Sequence, residues 1–287
     1  MMVRKHLPVP RPVGKSAPRK RRTRPLRIWP RRSLRRRWWR RFRRLPRAER
    51  LLLALTAAAL LALAANALYQ VVHKPSELFF PVSGALNKPA SETWRDYGAL
   101  FERYSTATIT PQLLAALAQV EAAGNPLART YWRWSWSLRP LELYRPASSA
   151  VGMYQITDGT FAEARHYCIH DHTLAREGRW SDWHACWFNL LYLRILPGDA
   201  VELTAAYLDL KVNAILARLP LRSATRLEKQ HLGALVHLCG EAAATGYARA
   251  GFRLSAAERC GDHDPRVYLE QVDSHASLFA RLEAAER

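Results

Sequence analysis

Twenty-two residues without a formal charge, Leu51 to Val72, come directly after a cluster of arginines, and this junction limits what the chain can become. The first nineteen, to Tyr69, would extend about 28 Å as a helix at 1.5 Å per residue, close to the thickness of a bilayer core. Positive residues before such a segment hold that end in the cytoplasm and send the chain beyond it outward. A buried helix of a soluble core has a similar composition but lacks this flanking charge. A cleaved signal peptide is the nearer rival, because Ala65-Asn66-Ala67 resembles a peptidase site. A charged leader of fifty residues is long for a signal peptide, which favours a retained anchor.

The formal charge of +20 suggests nucleic-acid binding until its distribution is counted. Residues 1–50 hold 21 of the 44 Lys and Arg but one of the 24 acids, Glu49, so they carry the whole excess. Residues 51–287 are balanced, with 23 of each sign. The tail is Arg-rich and broken by prolines, with too little apolar surface to offset the entropy of folding, and disorder is expected there. Its arginines, with Trp38 and Trp39, suit anionic lipid headgroups. Phosphates of nucleic acid would attract the same charge. The adjoining apolar segment favours the membrane, and no nucleic-acid partner is expected.

All four cysteines, Cys168, Cys186, Cys239 and Cys260, lie after the apolar segment. An even number on the exported side fits two disulfides in an oxidising compartment. Of three pairings the local one, 168–186 and 239–260, is preferred; each loop of about twenty residues would contribute on the order of 3 kcal/mol. Free buried thiols are the reading for a cytosolic domain.

Residues 73–90 carry three prolines and no sustained period, as a linker would. From Ser91 apolar residues recur at spacings of three and four near 91–104, 110–123, 158–168, 183–195, 198–217, 228–240, 241–250 and 265–285. Thr110-Pro111 and Asp264-Pro265 are helix starts with proline at the first helical position. No run of alternating strand residues stands out. The expected organisation is a basic tail (1–50), a transmembrane helix (51–72), a linker (73–90) and an all-α domain (91–287).

One acid within that domain is oddly placed. Pro111 opens a helix in which Leu114, Leu117 and Glu121 fall at i, i+3 and i+7, with Leu113 and Val120 beside them. Glu121 is therefore expected on the apolar face, and Gly124-Asn125-Pro126 ends the helix one turn later. Desolvation and the negative end of the helix dipole both disfavour a charge there, which suits a general acid. The bland reading is a solvated glutamate at a helix end.

Thirty residues on comes Gly152-Met153-Tyr154-Gln155-Ile156-Thr157. Glutamate followed by Asn-Pro, then Gly-x-x-Gln-Ile-Thr, resembles the core of the family 1 lytic transglycosylases, the SLT domain of the lysozyme-like, goose-type superfamily. The resemblance spans roughly residues 91–252; its first two motifs are specific. Weaker likenesses lie at Ala200 to Leu208, which includes Tyr207, and at Leu232 to Gly240, which includes His237. By resemblance Glu121 would be the sole acid/base, and Gln155 would bind substrate and orient the glutamate. Met153, Tyr154, Thr157, Tyr207 and His237 would contact the glycan. The substrate would be peptidoglycan strands, the location a bacterial inner membrane with the domain in the periplasm, and the fold a lysozyme-like helical one.

Three departures bear on this. Ala122 stands where the family has serine after the glutamate, and His237-Leu238 stands where it has Tyr-Asn. An imidazole at 237 is read either as a donor to the acid or as a core histidine. Residues 127–151 exceed the family's loop here and are crowded with Trp132, Trp134 and Trp136 and with Arg133, Arg139 and Arg145. They are read either as a cleft wall that stacks on sugars or as aromatics that anchor a long loop. The cluster His166, Cys168, His170, Asp171, His172, His184 and Cys186 lacks a zinc spacing, and a disulfide accounts for both cysteines.

No second carboxylate comes close after Glu121; the nearest is Glu142. Hydrolases that retain or invert need a partner carboxylate. The resemblance implies instead that Glu121 protonates the MurNAc–GlcNAc bond and then takes a proton from the C6 hydroxyl, closing a 1,6-anhydro ring without metal or organic cofactor. A goose-type hydrolase and a non-catalytic envelope scaffold are the alternatives.

Overall fold

A computed structural model of the chain describes residues 42–79, 83–136, 138–179, 181–219 and 223–286. Residues 1–41 of the basic tail, with the headgroup contacts expected of Trp38 and Trp39, fall outside the described residues; 42–50, where disorder was expected, are mostly helical, and a long helix begins within them at Arg47. The chain divides into two units, Met1–Ala59 and Leu60–Arg287. In the first unit the described backbone is mostly helical, and Leu51, Leu52, Leu53 and Leu55 are exposed.

The apolar segment lies in one helix, α1 (Arg47–His73), with mean hydropathy 2.3 in its most apolar stretch. It is long and apolar enough to cross a membrane. Residues 73–90, read as a linker, form two 3₁₀ turns, Pro75–Phe79 and Gly84–Leu86. Glu77 there is buried and accepts from Trp132 Nε1 at 2.7 Å and Arg129 Nη1 at 3.2 Å, so this stretch is held against residues 129–132.

The rest of the described chain is mostly helical: α2 (Ala90–Tyr104), α3 (Pro111–Ala122), α4 (Asp158–Ala164), α5 (Pro197–Arg218), α6 (Arg226–Arg249) and α7 (Pro265–Glu286). At its centre α3 buries every residue from Leu113 to Ala118. Its alanines let neighbours approach closely, as an all-round apolar helix requires. α3 packs on α7 and α2, while α5 packs on α6 and α2. The inner stripe of α2, Trp94, Gly98 and Phe101, falls at i, i+4 and i+7. Trp94 meets Phe279 of α7 at 5.7 Å between rings. Two carboxylates buried on α5 are satisfied: Glu202 accepts from the Ile169 backbone N–H and the Tyr192 hydroxyl, and Asp209 from Thr106 Oγ1.

Helix starts obey their caps. Thr110 and Thr225 each accept the N3 backbone N–H, and Glu228 completes a capping box with Thr225. The two segments expected at 228–240 and 241–250 run as α6, with a break at Gly240, where φ is +81°. Both disulfides form in the local pairing, Cys168–Cys186 and Cys239–Cys260.

Three expectations need correction. The domain is not purely helical: β1 (Trp132–Trp134) pairs antiparallel with β2 (Tyr144–Pro146), and β3 (Tyr167–His170) with β4 (Thr173–Arg176). The helix expected to reach 168 stops at Ala164. Asp171 and His172, both at positive φ, turn the chain back in a hairpin whose Ile169 N–H is bound by Glu202. The helix expected at 183–195 is one 3₁₀ turn, Asn189–Leu191, in a loop tied by Asn189 to the Tyr167 carbonyl and by Arg194 to the carbonyls of Ser149 and Ile156. Trp183, Trp187, Leu190 and Leu191 are spaced as in a helix, at i, i+4, i+7 and i+8, yet all four are exposed.

Candidate active site

Glu121 lies in the last turn of α3, where the core meets the surface, and its side chain is 20% exposed. Beyond it Ala123 adopts the left-handed region (φ 48°), and the N–H groups of Ala123 and Gly124 turn back to the carbonyls of Gln119 and Ala118. Gly124 also has positive φ, and a Cβ there would collide with the Thr93 side chain. The helix therefore stops where a glutamate in its final turn is only partly covered.

Two other helices bring polar groups to this carboxylate. Tyr268 of α7 donates its hydroxyl to Glu121 Oε1 at 2.6 Å. Burial, the Glu121 charge and that hydrogen bond hold the Tyr268 phenol well above its ordinary pKa, so it remains a donor. His237 of α6 places Nε2 at 3.6 Å from the same oxygen, a contact just beyond hydrogen-bond length. The His237 ring meets Tyr154 edge-on at 6.5 Å. Among the described residues Glu121 Oε2 has no partner, so one oxygen is held from the protein side and the other is left for a ligand or water.

The 152–157 segment supports this arrangement from below. Tyr154 is fully buried, donates to the Leu114 carbonyl at 3.1 Å, and is held far above the usual phenol range by burial. Met153 is fully buried as well. Both were expected to contact glycan, and both lie in the hydrophobic core, Tyr154 against α3. Gly152, at φ +81°, packs so that a Cβ would strike the Arg194 carbonyl. Gln155, at φ 47°, donates through Nε2 to the Gly152 carbonyl at 2.8 Å and to Ala128 O at 3.3 Å. Its amide closes its own turn, and the contact that orients Glu121 comes from Tyr268 instead.

Of the remaining residues, Thr157 is exposed and caps α4 by accepting from Thr160 N–H. Tyr207 is half-buried with Lys211 Nζ at 5.5 Å over its ring, and no contact ties it to Glu121 among the described residues. His237 does reach the acid. Tyr268 was missed by sequence reasoning. It sits on the buried stripe of α7 with Leu269, Val272 and Phe279, and a hydroxyl on such a stripe must find a partner, which was the available signal. Its partner lies 147 residues away.

Elsewhere, ligand atoms of Cys168, His170 and Cys186 lie within 4.8 Å of one another, but both sulfurs are tied in a disulfide and are not thiolate ligands. A cleft of about 740 Å³ is bordered by Arg179, Trp187 and Phe188, and one of about 670 Å³ by Gln112, Gln230 and Asp273. Neither is lined by Glu121. No protein-family model matches the sequence, and no curated protein matches it.

Proposed function

We propose that this chain is a membrane-anchored peptidoglycan lytic transglycosylase in which Glu121 is the single acid/base. The observation that carries the reading is the carboxylate itself: on a partly covered helix end, one oxygen bound by a phenol that stays protonated, the other open. In the acid step Glu121 donates a proton to the glycosidic oxygen between N-acetylmuramic acid and N-acetylglucosamine. Tyr268 then stabilises the resulting carboxylate with a charge-assisted hydrogen bond. The carboxylate next takes the proton of the muramoyl C6 hydroxyl, and that oxygen closes on C1 as a 1,6-anhydro ring. Among the described residues the polar groups at Glu121 are a phenol and an imidazole, and neither is the partner carboxylate of a hydrolase. The fold in this reading is lysozyme-like. α1 crosses a bacterial inner membrane with its arginine side in the cytoplasm, and the two disulfides suit a periplasmic domain.

A second reading is favoured by one observation. The Gln155 amide is committed to backbone carbonyls and Tyr154 is buried, which fits a glycan-binding or envelope scaffold without catalysis. Digestion of purified sacculi by the full chain in mild detergent, with mass spectrometry of the fragments, separates the readings. Release of 1,6-anhydro ends, one water lighter than reducing ends, is expected, and its loss in Glu121→Gln. Reducing ends would indicate a hydrolase. No release, or equal release by Glu121→Gln, would overturn the enzyme.

A further inference from the structure

The Trp-rich hairpin is fastened to the last turns of α1 by the two amide side chains of that helix's apolar stretch. Asn66 Nδ2 donates to the Tyr144 carbonyl at 2.6 Å, and Gln70 Nε2 to the Leu141 carbonyl at 2.8 Å. The pair is spaced i, i+4 and so shares one face of the helix. Both are buried while Leu60, Leu61, Leu68 and Val72 around them are exposed. A second set of contacts holds the base of the hairpin. Glu77 takes Trp132 Nε1 and Arg129, and Lys74 Nζ reaches the carbonyls of Ser148 and Ala150.

Away from these anchors the hairpin turns apolar groups to the outside. Tyr131 and Trp134 are mostly exposed, and Trp136 and Leu138 are fully exposed. Arg133, between Trp132 and Trp134 in β1, is exposed as well. At 1.5 Å per residue, Gln70 and Asn66 lie about 3 and about 9 Å before the end of the apolar stretch at Val72. The hairpin is thus fixed at the depth where hydrocarbon gives way to headgroups, which is the layer that Trp and Tyr favour. Amides on a spanning helix need internal partners, and the hairpin carbonyls accept one N–H from each, while Asn66 Oδ1 is buried without a hydrogen bond among the described residues.

We propose that the 131–147 hairpin is a membrane-interface element that beds Trp134, Trp136 and Leu138 into the bilayer surface where α1 emerges, with Arg133 set to meet lipid phosphate. This rests on the reading of α1 as a membrane anchor. The hairpin then fixes the tilt and height of the domain above the bilayer, and its aromatics face lipid rather than sugar.

The test uses the full chain in vesicles of phosphatidylcholine and phosphatidylglycerol. Because the described cysteines are all disulfide-bonded, one introduced thiol can carry an environment-sensitive fluorophore. Leu60→Cys, Trp136→Cys and Glu270→Cys are labelled in turn and quenched by lipids spin-labelled near the headgroup or deep in the chain. The expected result is deep quenching at 60, several-fold stronger shallow quenching at 136 than at 270, and loss of the signal at 136 when Asn66→Leu and Gln70→Leu are added. Quenching at 60 with none at 136 overturns the hairpin proposal and leaves the anchor standing. Quenching at neither site overturns the anchor reading and the proposal with it.

Discussion

The hydrogen bond between Tyr268 and Glu121 joins helices that begin more than 150 residues apart, and its strength can be measured directly. The hydroxyl donates at 2.6 Å to a carboxylate that is 20% exposed, while the phenol is held well above its ordinary pKa by burial. A charge-assisted bond of this kind contributes about 1.5–3 kcal/mol, and partial shielding from water places it near the middle of that range. Tyr268→Phe keeps the ring and leaves packing intact, so its cost is the bond. A double-mutant cycle of Tyr268→Phe and Glu121→Ala, read by urea unfolding of the full chain in detergent, should give a coupling of about 2 kcal/mol. In the proposed reaction only the part of this stabilisation absent from protonated Glu121 counts, so Tyr268→Phe should be slower on sacculi by at most about thirty-fold. A coupling below about 0.5 kcal/mol, the size found between independent sites, would refute the claim that the phenol holds the acid.

Packing and burial lead to further expected outcomes. Gly152→Ala would force an alanine to φ +81° and against the Arg194 carbonyl; strain and overpacking together should cost about 2–5 kcal/mol, read as a lower denaturation midpoint. Replacing Cys239 and Cys260 together with serine frees a loop of sequence separation 21 and should remove about 3 kcal/mol, measured against the oxidised parent. Tyr154 and Tyr268 both have folded pKa values raised by burial above the unfolded value of about 10. Their contribution is therefore intact below about pH 10 and declines as pH rises beyond it, by up to about 1.4 kcal/mol per pH unit for each group. Tyr154→Phe should make that alkaline slope shallower in unfolding experiments between pH 9 and 11; an unchanged slope would contradict the burial argument.

Local chemistry wrote much of this protein into its sequence. The apolar stretch and its arginines marked α1, Thr110-Pro111 and Asp264-Pro265 marked helix starts, and the spacing of four cysteines indicated the pairing found. Glu121 was legible because an acid on an apolar stripe breaks a pattern of neighbours three and four residues away. The errors arose where distant contacts outweighed local period. Trp183, Trp187, Leu190 and Leu191 recur at i, i+4, i+7 and i+8 like a helix, but Asn189 is held by β3 and Arg194 by the Ser149 carbonyl in an irregular course. Gln155 stood in a sequence context that suggested contact with the acid, yet its backbone geometry turns the amide to Gly152. Tyr268 reaches Glu121 only because α7 packs along α3, and Asn66 and Gln70 gain partners only because a hairpin some seventy residues later lies beside α1. Periodicity and caps act within a few residues and can be read along the chain, whereas the partner of a buried polar group is chosen by whichever element packing brings within about 3 Å.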